Sequence, residues 1–128
     1  MNIPFCLPLI DKDVNHEVLS CLNETGWLTT GPKVKLLEDE ITELCQTSST
    51  ICVNSWTSGM LLLIRWLDLG EDDEIIVPAY TYAASALSVI NSRVKCVYVD
   101  VNSDFTMNID EVEKAITKNT KAIMPVDL

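Results

Sequence analysis

From residue 50 onward, short β-branched runs alternate with helix-length apolar stretches, and that alternation limits the fold more than any other feature of the sequence. Ser49-Thr50-Ile51-Cys52-Val53, Glu74-Ile75-Ile76-Val77, Lys95-Cys96-Val97-Tyr98-Val99 and Lys121-Ala122-Ile123-Met124-Pro125-Val126 have strand character. Between them, Met60–Leu67, Tyr82–Ile90 and Ile109–Ile116 have the apolar content of helices packed on a sheet. Strands separated by helices rather than by tight turns imply βαβ units, a mainly parallel sheet and right-handed crossovers. Such sheets bind ligands at the carboxyl ends of their strands.

Two strand-to-helix turns fall at such ends. In Asn54-Ser55-Trp56-Thr57-Ser58-Gly59 the chain passes through a hydroxyl-rich turn into an apolar helix. The first turn of a helix leaves backbone N–H groups without partners and carries partial positive charge, so it suits an anion. Thr57 and Ser58 would add hydroxyl donors. The plainer alternative is that Ser55 or Thr57 only caps the helix, and caps are far commoner than phosphate sites. The second turn, Ala79-Tyr80-Thr81, leads into Tyr82 at the head of a small-residue helix. The Tyr82 ring either offers its face to a planar ligand or packs in the core with its hydroxyl bonded.

The 128 residues are one domain's length with no internal linker, and within them residues 1–48 are a lead-in with two helices ahead of the βαβ units at 49–128. Pro4 and Pro8 predict an extended start over residues 1–10. Val14, Val18 and Leu22 predict a helix from about Asp11 to Glu24, with His16 solvated beside the stripe. Gly26 to Pro32 is a loop, and Pro32 suits the first position of a second helix with Val34, Leu37, Ile41 and Leu44 on its apolar face. Trp27, Thr29 and Thr30 on that loop either meet a ligand or leave Trp27 tucked onto the core. Farther on, Asn108 and Glu111 have the spacing of a capping box.

Charge and composition narrow the partners. Nine Lys+Arg against 19 Asp+Glu give a net charge of −10, which argues against nucleic acid or an anionic membrane surface. A single histidine leaves no basis for a His-based metal site or catalytic triad, and no metal centre is expected. Five cysteines, an odd number without a C-x-x-C pair, are expected to be reduced core residues of a cytoplasmic protein. The first residues lack a basic region followed by a long apolar run, so no secretory signal is expected, and no apolar run is long enough to span a bilayer.

Six short motifs occur together and in order: Ile3-Pro4-Phe5 with Pro8; Gly26-Trp27-Leu28-Thr29-Thr30-Gly31-Pro32; Asn54 to Met60; Val77-Pro78-Ala79-Tyr80-Thr81-Tyr82; Val97-Tyr98-Val99-Asp100-Val101; and Thr120 to Val126. With them the chain resembles the N-terminal part of the pyridoxal-phosphate-dependent nucleotide-sugar aminotransferases, the DegT/DnrJ/StrS family. The resemblance implies a partial three-layer α/β fold, the N-terminal part of the large domain of an aspartate-aminotransferase-like (fold type I) transferase. It assigns Thr57 and Ser58 to the cofactor phosphate, Tyr82 to stacking on the pyridine ring, and Trp27, Thr29 and Thr30 to a loop near the substrate. It further implies pyridoxal 5'-phosphate as cofactor, with weak binding by this chain alone, and a nucleotide-linked ketosugar as acceptor, with an amino-acid donor such as glutamate. A pathway of cell-surface polysaccharide or antibiotic sugars would be usual.

The sequence departs from the family pattern at Trp56, where Gly or Ala is usual, at Asn91-Ser92-Arg93, where a glycine turn is usual, and at Asp127, where histidine is common. In the family, the lysine that anchors the cofactor and the acid that protonates its ring lie beyond the part matched here, so the chain is read as an inactive N-terminal fragment. A sugar dehydratase with the lysine replaced, and a non-catalytic half-domain, are the alternative readings. A sheet left with open edges predicts a homodimer or higher assembly.

Overall fold

The computed structural model describes residues 6–127. The Ile3-Pro4-Phe5 part of the first motif, and the extended start expected over residues 1–5, lie outside the described residues. The chain divides into two compact units, one ending at Cys52 and the other beginning at Val53.

The first unit follows the expected helices closely. Residues 6–11 are neither helix nor strand, and Asp11 caps α1 (Lys12–Ser20) by accepting the N–H groups of Asp13 and Val14. The helix runs on into a π-helical turn, Cys21–Thr25, and stops at Gly26, whose φ of 66° is left-handed. Glycine adopts that conformation at no steric cost, which is why it ends helices. Gly31 and Pro32 then open α2 (Pro32–Cys45), with Pro32 in the first turn. A Cβ on Gly31 would stand 2.7 Å from that of Trp27, so the approach of the loop to the helix start requires glycine. Lys33 pairs with Glu17, which joins the two helices.

The apolar stripes that predict these helices are not buried. Val14, Val18 and Leu22 are exposed, and Leu37 and Leu44 on α2 are exposed as well. An amphipathic stripe is buried only when another layer lies over it, and within this unit two helices supply no such layer.

The second unit carries the sheet. Its elements are α3 (Trp56–Trp66), β1 (Glu74–Pro78), α4 (Ala83–Asn91), β2 (Lys95–Val99), α5 (Ile109–Ala115) and β3 (Thr120–Ile123). The strands are parallel in the order β2-β1-β3, so β1 is central and every one of its residues is buried. Side chains alternate across the sheet: Ile75 and Val77 pack with Ile64 of α3 and Val89 of α4. Ile76 points the other way, into a second cluster with Val99, Met107 and Val112 of α5. Helices thus cover both faces, as the near-continuous apolar character of β1 required.

Only three of the four expected strands form. The run at 49–53 is not paired among the described residues: Ile51 is 78 % exposed, and the Cys52 N–H donates to Glu38 Oε1 at 2.9 Å instead of to a strand. β-Branched residues favour extended backbone, but a strand exists only where a neighbour supplies ladder bonds. The capping box is half made. Asn108 Oδ1 accepts from the N–H groups of Asp110 and Glu111, whereas the Asn108 N–H donates to the Asp100 carbonyl and Glu111 pairs with Lys114. Most of the cysteines are not core residues: Cys6, Cys45 and Cys52 are exposed and Cys21 is half-buried, whereas the half-buried Cys96 on β2 packs against the first core cluster. The helix and loop faces that carry Cys6, Cys45 and Cys52 leave them exposed among the described residues.

Candidate functional site

Because the helices run back along the parallel strands, α3 and α4 both begin beyond the carboxyl edge of the sheet. There, Trp56, Thr57, Thr81, Tyr82, Ala84, Ser85, Pro125, Val126 and Asp127 line a cleft of about 450 Å³. The three contributing segments are the start of α3, the start of α4 and the chain leaving β3.

The start of α3 shows why its sequence suits an anion. Ser55 is the cap: its Oγ accepts the Ser58 N–H at 3.1 Å, and its carbonyl accepts from Gly59. Ser55 Oγ in turn donates to Ser58 Oγ at 2.9 Å. The N–H groups of Trp56 and Thr57 have no protein acceptor among the described residues, and both residues line the cleft. The cap satisfies the third position of the helix and leaves the first two donors open, so a cap here is compatible with an anion site.

The start of α4 supplies a ring and more hydroxyls. Tyr80 stacks on Phe105, with centroids 4.8 Å apart, whereas Tyr82 two residues on is 84 % exposed. Of the two readings of Tyr82, the core tyrosine is thereby excluded. Thr81 Oγ1 and Ser85 Oγ lie 2.8 Å apart in the lining. Asp127 brings a carboxylate to the opposite chain segment, so the cleft holds donors for an anion and one group that suits a cation. A flat ring bearing a phosphate matches this set: open N–H groups and hydroxyls for the ester, an exposed aromatic face for the ring.

The family model for DegT/DnrJ/EryC1/StrS aminotransferases matches residues 8–128. The chain belongs to that family. Among DegT/DnrJ/EryC1/StrS relatives, the spore coat polysaccharide biosynthesis protein SpsC of Bacillus subtilis is 36% identical over 97% of this chain and 32% of its own length. Among solved structures, Spr1654 of Streptococcus pneumoniae in its PMP form is 44% identical with a TM-score of 0.88, covering 98% of this chain and 32% of the other. The GDP-4-keto-6-deoxy-D-mannose-3-dehydratase of E. coli with bound hydrated PLP is 26% identical with a TM-score of 0.89, covering 99% and 34%. The chain thus spans about a third of the length of the relatives it matches. Its fold is that of the fold type I transferases, and pyridoxal 5'-phosphate is the cofactor of the DegT/DnrJ/EryC1/StrS family.

Of the residues singled out in the sequence, the structure brings Thr57 and Tyr82 into one cleft. Ser58 is not among the lining residues, and its N–H and hydroxyl are both engaged with Ser55. Trp27, Thr29 and Thr30 are exposed and belong to the other unit, with Thr29 and Thr30 in the bend before α2. The sequence did not single out Ser85 or Pro125. Their place depends on the start of α4 and the chain leaving β3 meeting at one cleft, which no local pattern encodes.

Proposed function

We propose that this chain forms the cofactor-cradling part of a pyridoxal-phosphate-dependent aminotransferase that aminates a nucleotide-linked ketosugar. The observation that carries this reading is the convergence of the open Trp56 and Thr57 N–H groups with the exposed Tyr82 ring on one cleft. When bound, the cofactor supplies an electron sink for the carbon that exchanges the amino group. The part of this chain is to hold it: the α3 donors and the Thr57 hydroxyl bind the phosphate, and Tyr82 stacks on the ring. Trp27, Thr29 and Thr30 are the residues proposed for the substrate loop.

The acceptor class follows from relatives that act on sugars, and the donor is an amino acid such as glutamate. A cytoplasmic homodimer serving polysaccharide synthesis is the setting that fits. A dehydratase acting on a similar nucleotide sugar is the second reading, favoured by the TM-score of 0.89 to such an enzyme. The residue at the anchor position of the whole protein separates the two.

No lysine lines the cleft among the described residues, so this chain by itself would hold the cofactor without a covalent bond and without turnover. Titration with pyridoxal 5'-phosphate, followed by borohydride reduction and peptide mass spectrometry, tests this. Saturable binding with no single stoichiometrically labelled lysine is the expected result. Absence of saturable binding at millimolar cofactor overturns the cradle, and one fully labelled lysine overturns the non-covalent assignment.

A further inference from the structure

Trp56 is the first residue of α3 and lines the same cleft as Tyr82, Thr81 and Ser85. It is 51 % exposed, although the indole is the largest apolar group available for burial in that part of the fold. Trp66, at the other end of the same helix, is exposed without belonging to this cleft. A helix of this length gains nothing at its first position from a bulky aromatic, where small caps and proline are preferred. The cost of leaving indole surface in water is recovered only if something flat or apolar covers it.

We propose that Trp56 is a specificity-determining residue of the cleft: its backbone N–H binds the phosphate, while its indole selects ligands that carry a ring beside that phosphate. This rests on the assignment of the cleft as a cofactor cradle. The two roles come from one residue, and they separate experimentally because substitution removes the ring and keeps the N–H. An aryl-methyl phosphate would contact both Trp56 and Tyr82, whereas inorganic phosphate would use the N–H groups alone. The cleft volume of about 450 Å³ falls within the range of small-ligand sites, roughly 300–1,000 Å³, so ring and phosphate can be held together.

Pyridoxamine 5'-phosphate is the probe of choice, because it lacks the aldehyde that modifies lysines. Its dissociation constant, and that of inorganic phosphate, would be measured by calorimetry for the 128-residue chain and for Trp56→Ala, Trp56→Phe and Tyr82→Ala, each checked for folding by circular dichroism. Trp56→Ala is expected to weaken pyridoxamine 5'-phosphate roughly three- to tenfold and to leave phosphate unchanged. Trp56→Phe, which keeps a ring, should stay within about twofold. If Tyr82→Ala weakens the probe and Trp56→Ala does not, the role of Trp56 is refuted and the cradle stands. If Trp56→Ala weakens phosphate equally, the residue is structural and the proposal fails. If the unsubstituted chain binds neither probe, the cradle and the proposal fail together. A 5-fluorotryptophan resonance assigned to Trp56 that shifts with pyridoxamine 5'-phosphate but not with phosphate supports the contact directly; one that shifts with neither, while the probe binds, overturns it.

Discussion

Lys95 Nζ on β2 donates to Glu74 Oε1 on β1 at 2.6 Å, at the end of the sheet opposite the cleft. The Glu74 carboxylate is buried and also accepts from Thr117 Oγ1 at 2.6 Å, so one acid joins three segments. Hydrogen bonding from Lys95, then from Thr117, holds its pKa below the ordinary carboxylate value. A depressed carboxylate stabilises the fold fully above its unfolded pKa and loses that contribution as pH falls through the folded one. Stability should therefore decline in acid, from the ordinary carboxylate range downward. In Glu74→Gln that part of the decline should be missing, with lower stability at neutral pH; urea midpoints from pH 3 to 7 read both effects.

Ser55 holds the Ser58 N–H and leaves those of Trp56 and Thr57 open. Ser55→Ala should cost about 1 kcal/mol of stability, the usual value of a cap. Ser55→Asp should retain it, while its added charge beside the cleft repels phosphate. Chemical denaturation and phosphate titration on the same two variants separate capping from anion binding.

Tyr82 makes no core contact that its exposure would permit to matter for stability. Tyr82→Ala should change the unfolding free energy by less than about 0.5 kcal/mol. The same variant should bind pyridoxamine 5'-phosphate roughly three- to tenfold more weakly. A large loss of stability would place the ring in the core after all.

Arg93 has a φ of 58° in the turn after α4, a conformation that costs an L residue roughly 1–2 kcal/mol. Its ion pair with Glu71, at 3.9 Å between exposed groups, contributes little. Glycine relieves the strain but gains about 0.4–1 kcal/mol of unfolded-state freedom. Arg93→Gly is thus expected to stabilise the chain by up to about 1 kcal/mol, measured as a raised urea midpoint at constant slope.

Burial pushes the Cys96 thiol up, and the group is half-buried beside Tyr98, whereas Cys6, Cys45 and Cys52 are exposed. A thiolate is the reactive form. Timed iodoacetamide labelling with peptide mass spectrometry should modify those three before Cys96, and early labelling of Cys96 would show that β2 opens locally.

The sequence by itself determined which stretches become helices, because caps and breakers act within a few residues. Asp11, Pro32, Ser55 and Asn108 start their helices, and Gly26 ends one, without reference to the rest of the chain. It also marked the strand that is buried on both sides, since Ile75-Ile76-Val77 is apolar on both faces of a sheet. Tertiary structure decided the rest. The β-branched run at 49–53 stays unpaired because ladder bonds need a neighbour, and local propensity cannot provide one. Ser58 turned inward to Ser55 while Trp56 and Ser85 entered the cleft, because a cleft is made where α3, α4 and the chain after β3 meet. That meeting depends on segments more than 20 residues apart in sequence, as with Thr117 reaching Glu74 43 residues away. Periodicity reports which face of an element is apolar; only packing decides what lies against it.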